Sequence, residues 1–180
     1  GELDDDENPV GDGPGLVISP EVVHLSRYAN RYMLYPNENY PSRVDLCLHN
    51  ASVAETLRNT SLAGMWRMMA SMLESAVELP APNAQPNLMQ FVMLPTVTDL
   101  LEERADAGDV QTCVALCELL QVVTAQQEVR LPDLDISLVR EWYLSYIQLL
   151  QGMCLFGPAA YLIKMCRDPY IGAMSQQSTT

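Results

Sequence analysis

Apolar residues in this chain recur at steps of three and four, which is the spacing that places side chains on one face of an α-helix. The clearest case follows Asp135, a residue type that favours the N-cap position of a helix. A face this wide and aromatic must be covered by other elements. Its members are Val139, Trp142, Tyr143, Tyr146, Leu149, Leu150 and Met153.

The segments on either side of this helix follow the same rule. Residues 110–123 are apolar around almost the whole helical circumference, so we expect that helix to pack on more than one side. Residues 158–166 predict a short helix, with Pro158 suited to its first turn. The apolar side of this helix comprises Ala159, Leu162, Ile163 and Cys166. Together the pattern predicts three consecutive helices that each need neighbours.

The first half of the chain predicts helices at about 20–35, 40–58 and 62–79. Prolines then interrupt the pattern until Thr96 and Asp99, which resemble a capping box for a helix that runs to about Ala107. Gly108 is suited to end that helix and Asp109 to begin the next. The Gly108-Asp109 junction therefore predicts a tight helical hairpin.

These patterns predict an all-α fold of antiparallel helical hairpins stacked as a short α-solenoid. Alternation of apolar and polar residues, the mark of β-strands, hardly occurs. The predicted organisation is an acidic flexible leader at 1–17, a helical segment at 18–79, a proline-containing linker at 80–94, a helical hairpin segment at 95–167 and a polar tail at 168–180.

Charge and composition exclude several classes of partner. The chain of 180 residues has a formal net charge of −13, and six acidic residues lie within its first twelve positions. Its ten basic residues are spread thinly, so no basic stripe exists to neutralise the phosphates of a nucleic acid. No apolar run is long enough to insert directly into a membrane, and no secretion signal opens the chain. We expect an intracellular protein.

Two sets of residues stand out as candidates for binding or packing. A methionine-rich face can be an adaptable binding groove or plain core, and the candidate partner-binding residues are Met65, Met68, Met69 and Met72. The residues predicted to pack in the core are Trp66, Cys113, Cys117, Trp142, Tyr143, Tyr146 and Leu149.

Nothing in the sequence points to a reactive centre. Cys113 and Cys117 are four residues apart, but no second pair of cysteines or histidines at ligand spacing accompanies them. His24 and His49 have no partner at a spacing typical of catalysis or metal binding. The prediction is a protein that is not an enzyme, with no catalytic residue, no cofactor and no small-molecule substrate.

Several motifs resemble a known family. The chain is similar to the region before the zinc-binding C-terminal domain in a WD40-repeat subunit of the SEA complex, which is called GATOR in animals. The motifs that carry the resemblance are His49-Asn50-Ala51, Gly108-Asp109-Val110-Gln111, Glu141-Trp142-Tyr143, Leu149-Leu150-Gln151 and Gln177-Ser178-Thr179-Thr180.

The resemblance implies a scaffold role. Proteins of that family combine a β-propeller, an α-solenoid and a RING-like zinc module, and they help to pass amino-acid sufficiency to the TOR kinase at the lysosome or vacuole. By this resemblance the chain is the C-terminal part of the solenoid, on the cytoplasmic face of that organelle, with other subunits as its partners. Zinc is expected only in the domain that would follow Thr180.

One alternative function remains open at this point. The chain could be an independent helical bundle that acts as an adaptor and binds a partner helix along the methionine-rich face. Under this hypothesis, replacing Met68 and Met72 by polar residues would abolish ligand binding without unfolding the chain.

Overall fold

Eight α-helices make up the regular structure of residues 20–77, 88–120 and 134–177, which are the residues that the computed structural model describes. No strand occurs in these ranges, so the predicted all-α class is confirmed. The helices are α1 (Pro20–Arg31), α2 (Arg43–Thr56), α3 (Thr60–Val77), α4 (Leu88–Asp106), α5 (Val110–Leu120), α6 (Ile136–Gly152), α7 (Phe156–Met165) and α8 (Pro169–Gln177).

The helices pack mainly against their neighbours along the chain, as hairpins stacked in sequence do. The most extensive contact is between α2 and α3. Consecutive helices also pack together in the pairs α4–α5, α6–α7 and α7–α8. Contacts of α5 with α6, and of α3 with α4, join one hairpin to the next. The predicted stack of helical hairpins is therefore confirmed.

Three hairpins turn in the same way. The turns of α2–α3, α4–α5 and α6–α7 each contain one residue with a left-handed backbone, with φ of 60° at Arg58, 75° at Gly108 and 59° at Cys154. The next backbone N–H then donates to the carbonyl five residues before it, which satisfies the end of the first helix as in a Schellman motif. These bonds join Asn59 to Ala54 at 2.9 Å, Asp109 to Arg104 at 2.9 Å and Leu155 to Leu150 at 2.8 Å.

The spacing of these turns marks a structural repeat. The left-handed residues are separated by 50 and then 46 residues, although their identities are arginine, glycine and cysteine. A repeat of this length is in the range of helical arrays. The repeat is thus carried by backbone geometry, since the turn sequences themselves differ.

Side-chain caps fix where several helices begin. Ser42 and Asp45 form a reciprocal capping box at α2, so that helix begins at Arg43, a few residues after the predicted start at about 40. The Asp135 carboxylate accepts from the backbone N–H of Ser137, which confirms its predicted role at α6. Asp109 caps α5 by accepting from the N–H of Thr112 at 3.1 Å.

The start of α4 was predicted wrongly. Helix α4 begins at Leu88 and contains Pro95 in its interior, so residues 88–94 are helical and Thr96 is not an N-cap. Inside a helix, proline removes its own backbone N–H donor and its ring crowds the carbonyl four residues earlier, although its fixed φ is compatible with the helix. The helix passes through Pro95 because downstream residues such as Val97 and Leu101 are held in the core.

The end of the chain also differs from expectation. The tail predicted at 168–180 contains α8, and Pro169 is the first residue of that helix. Proline is favoured at this position because the first helical N–H needs no partner. The predicted leader at 1–17 and residues 80–87 of the predicted linker lie outside the described residues.

We expect opposite effects from the same substitution at two glycines. Gly108→Ala should cost about 1 kcal/mol of stability, because φ of +75° is strained for alanine even though no atom lies within 4 Å of the added Cβ. Gly64→Ala, at an exposed and equally open position in α3, should stabilise by roughly 0.5–1 kcal/mol. Urea unfolding of both variants measures the difference. Equal effects would mean that Gly108 does not need its left-handed backbone.

Candidate partner-binding surface

The methionines of α3 do not form one exposed face. Met65 and Met69 are buried in the core, Met72 is half-buried against it, and only Met68 is exposed, at 39%. The structure therefore does not bring all four methionines together on one accessible face, and only Met68 and the half-buried Met72 remain as candidates for binding. Methionine instead fills the core here, where its flexible side chain adapts to irregular space.

The aromatic face of α6 is covered, with one exception. Leu149 is 43% exposed, so its prediction as a core residue is wrong. It stands at the edge of a stripe that is too wide for α5 and α7 to cover fully. The other residues predicted to pack in the core are buried, namely Trp66, Cys113, Cys117, Trp142, Tyr143 and Tyr146.

A buried carboxylate joins three segments of the chain. Glu118 in α5 accepts a 2.5 Å hydrogen bond from the Tyr143 hydroxyl of α6 and another from the Tyr35 hydroxyl, in the loop after α1. Burial, and then the Glu118 charge, raise the pKa of both phenols, which keeps them protonated as donors. Bonds to a charged acceptor are the stronger kind, so this cluster fixes the loop against α5 and α6.

A second polar bridge starts from Gln111, two helical turns before Glu118 on α5. The Gln111 side-chain amide of α5 donates to the Leu25 carbonyl at 3.0 Å and to the Tyr146 hydroxyl at 2.9 Å. It therefore ties α1 and α6 to α5. Trp66 Nε1 of α3 donates in the same manner to the Tyr32 hydroxyl at 3.1 Å.

An ion pair holds α8 on α6. Arg140 Nε lies 2.7 Å from Asp168 Oδ2, and the Asp168 side chain is nearly inaccessible. The other oxygen of Asp168 accepts from the backbone N–H of Tyr170 at 2.8 Å and so caps α8. The Arg140 guanidinium also lies 5.4 Å from the centre of the Tyr170 ring, within range of a cation–π interaction.

The described cysteines and histidines do not fit a zinc site. No group of three potential ligands occurs within the described ranges, and the Cys113 thiol donates to the Leu101 carbonyl at 3.5 Å. His49 Nε2 lies 2.9 Å from the Arg31 carbonyl oxygen, and its ring packs on Tyr40. His24 lines a groove of about 650 Å³ between the α2–α3 and α4–α5 turns.

Among the large apolar side chains of the described residues, the three most exposed lie on α7 or at the start of α8. On α7 itself Phe156 is 61% exposed, Tyr161 53% and Met165 38%. Tyr170, at the start of α8, is 58% exposed. Large apolar side chains that remain accessible as a group mark surfaces for other macromolecules. We name the exposed residues Phe156, Gly157, Ala160, Tyr161, Lys164 and Met165 the α7 face.

A small cavity adjoins this face. It has a volume of about 140 Å³ and lies between α7 and the loop that follows α1. The Tyr161 ring borders it and meets the Tyr35 ring edge-on, with 5.4 Å between ring centres. Tyr35 is the residue fixed by Glu118, so the buried carboxylate holds one wall of the cavity in place.

Comparison with curated proteins finds GATOR2 complex protein WDR24 in three organisms. The protein of Danio rerio is 26% identical over 186 residues, which cover 99% of the chain and 22% of that relative. The protein of Dictyostelium discoideum is 37% identical over 93 residues, covering 51% of the chain and 8% of the relative. The protein of Homo sapiens is 32% identical over 84 residues, which cover 47% of the chain and 10% of that relative. The predicted resemblance to a GATOR subunit is confirmed.

The chain spans less than a quarter of the length of each of these WDR24 relatives. No protein-family model matches it. Among the described helices, none has both the length and the apolar character needed to cross a membrane.

Sequence reasoning missed the α7 face, although a signal was present. The predicted apolar side of this helix comprised Ala159, Leu162, Ile163 and Cys166, and Ala159 and Leu162 are indeed buried. Phe156 and Tyr161 fall outside that stripe and are nevertheless aromatic. Large aromatic residues outside a predicted buried stripe were therefore the indication of a second, accessible apolar face.

The two tyrosines of α6 provide a test of the buried carboxylate. Tyr143→Phe should cost about 1.5–3 kcal/mol, because it removes a hydrogen bond to a buried charged group. Tyr146→Phe, on the same helix, loses only a neutral bond with Gln111 and should cost about 0.5–1.5 kcal/mol. Denaturant unfolding gives both values. If Tyr146→Phe is the more damaging change, the Glu118 cluster does not have the role described.

Thiol reactivity should divide the cysteines into two classes. Burial raises the pKa of Cys47, Cys113 and Cys166 to about 12 and that of Cys117 well above its ordinary value. At pH 8 a thiol with a pKa of 12 is thiolate in roughly one molecule in ten thousand, so these should resist iodoacetamide. Cys154, exposed in the α6–α7 turn, should react first.

Mass spectrometry of the folded chain should therefore show one fast adduct. The adduct should disappear in the Cys154→Ser variant. Unfolding the unaltered chain should raise the number of adducts to five, since that chain has five cysteines. Rapid modification of a second cysteine in the folded protein would show that the core opens on that timescale.

Proposed function

We propose that this chain is a helical scaffold segment of a GATOR2-type complex. The observation that carries the proposal is the match over 99% of the chain to a GATOR2 complex protein. The architecture supports it, because stacked hairpins form an extended body with accessible faces. In this role the segment holds other parts of its protein at defined positions and offers surface to other subunits.

The proposal includes the context in which such a complex works. By resemblance, the complex passes amino-acid sufficiency to the TOR kinase at the cytoplasmic face of the lysosome or vacuole. The segment contributes to this signal mechanically. A change in the stacking of one hairpin alters the positions of whatever is attached at either end.

The proposed role is non-enzymatic. The buried polar side chains Gln111, Glu118 and Asp168 each bond to groups on other parts of the chain. Such bonds position helices relative to one another and are satisfied within the fold. Zinc, in this proposal, belongs to another part of the protein.

The test uses the full-length protein that carries this segment, purified with its complex from cells. Leu150→Asp places a charge at a fully covered position of α6 and should unfold the hairpin stack. Gln148→Asp makes a similar change at an exposed position of the same helix and is the matched control. Quantitative mass spectrometry of the purified complex measures the recovery of every other subunit.

We expect Leu150→Asp to lower the recovery of at least one GATOR2-type subunit by about tenfold, and Gln148→Asp to leave it unchanged. Circular dichroism of the 180-residue chain with each substitution verifies that only Leu150→Asp unfolds it. A complex of unaltered composition around an unfolded segment would refute the scaffold role.

A further inference from the structure

The α7 face combines aromatic side chains with space for close approach. Phe156 and Tyr161 are both more than half exposed, and Gly157 and Ala160 lie between them on the helix surface. A Cβ added at Gly157 would have no atom within 4 Å. A second helix can therefore lie close to the α7 backbone, with the two aromatic rings on either side.

The adjoining cavity suits one apolar side chain. A cavity of about 140 Å³ is close to the size that holds a benzene ring in a protein core. Its walls include Tyr161, Pro158 and Leu162 of α7, and Tyr35 and Pro36 of the loop, and no lining residue is charged. A buried anchor in such a pocket is typical of the residues that dominate binding energy.

The charge around this face differs from that of the whole chain. The exposed charged residues on α7 and at its end are Lys164 and Arg167, and α7 contains no carboxylate. Arg140 and Asp168, nearby on α6 and before α8, are paired with each other. Glu38 is in the loop after α1 and does not line the cavity. In a chain of net charge −13, this face is locally basic.

We propose that the α7 face binds an acidic amphipathic helix of a partner protein. The helix lies along Phe156 and Tyr161, places one large apolar side chain in the cavity, and sets carboxylates against Lys164 and Arg167. Helix-in-groove recognition uses apolar anchors of this kind, and charge complementarity at the rim selects the partner. The inference rests on the proposed scaffold role only in taking the occupant to be a protein.

The test uses two helical peptides of about 16 residues, a length at which an isolated helix can form. Both carry leucines along one face, and the other positions are glutamate in the first peptide and lysine in the second. Each is labelled and titrated with the 180-residue chain, and fluorescence anisotropy measures its dissociation constant. We expect the glutamate peptide to bind at least about tenfold more tightly than the lysine peptide.

Two variants locate the binding site. Phe156→Ser should weaken binding of the glutamate peptide by about tenfold, whereas Leu48→Ser, at a 50% exposed position of α2, should not change it. Lys164→Glu combined with Arg167→Glu should reverse the preference between the two peptides. Circular dichroism verifies that this variant stays folded, because an unfolded chain of strongly negative charge would also prefer the lysine peptide.

Equal affinities, no binding of either peptide, or equal weakening by Phe156→Ser and Leu48→Ser would each overturn the proposal. Analytical ultracentrifugation of the chain alone tests whether a second copy of the chain occupies the face instead. Dimerisation that is abolished by Phe156→Ser would assign the face to a second copy and would also overturn the proposal. None of these outcomes bears on recovery of the complex with Leu150→Asp, so the two proposals fail separately.

Discussion

The burial of α5 on every side is the constraint on which the rest of the structure depends. Each of its residues from Gln111 to Leu120 is covered, and its neighbours are α4, α6 and α2. A helix that is apolar around its whole circumference cannot remain in water, so it forces helices from both halves of the chain to pack around it. The buried polar side chains Gln111 and Glu118 add hydrogen bonds from α5 to α1, to α6 and to the loop after α1.

Gln111 and Glu118 are buried, so their polar atoms need hydrogen-bond partners from the surrounding segments. A buried carboxylate without hydrogen bonds is costly, and the hydroxyls that satisfy Glu118 come from Tyr143 and from Tyr35, 83 residues earlier in the chain. The observed arrangement of the loop after α1 supplies the second hydroxyl. The same loop borders the cavity beside α7. The hydrogen bond that satisfies the buried Glu118 therefore also positions one wall of that cavity.

The repeated turn shows how one hairpin geometry forms from different sequences. The hairpin ends at Arg58, Gly108 and Cys154 share one backbone conformation and one hydrogen bond, while their side chains have nothing in common. Carbonyl groups at a helix end need donors whatever the residue type. Turns of unlike sequence within this chain therefore keep the same conformation.

Local pattern was sufficient to predict the helices and much of the core. The positions of α5, α6 and α7, the cap at Asp135 and the turn at Gly108 follow from spacing and residue type, because they depend on neighbours within one or two helical turns. Trp66, Trp142 and Tyr143 are buried as predicted, because each lies within a periodic apolar stripe whose exposure to water would be costly.

Tertiary structure decided what depends on distant neighbours. Met65 and Met69 are buried and Leu149 is exposed, because the exposure of a side chain depends on which other helix packs against its face. Tertiary structure also carried α4 through Pro95, and it left Phe156 and Tyr161 accessible on α7. Periodicity shows which residues share a face, but only the packing of other helices determines which of two apolar faces is covered.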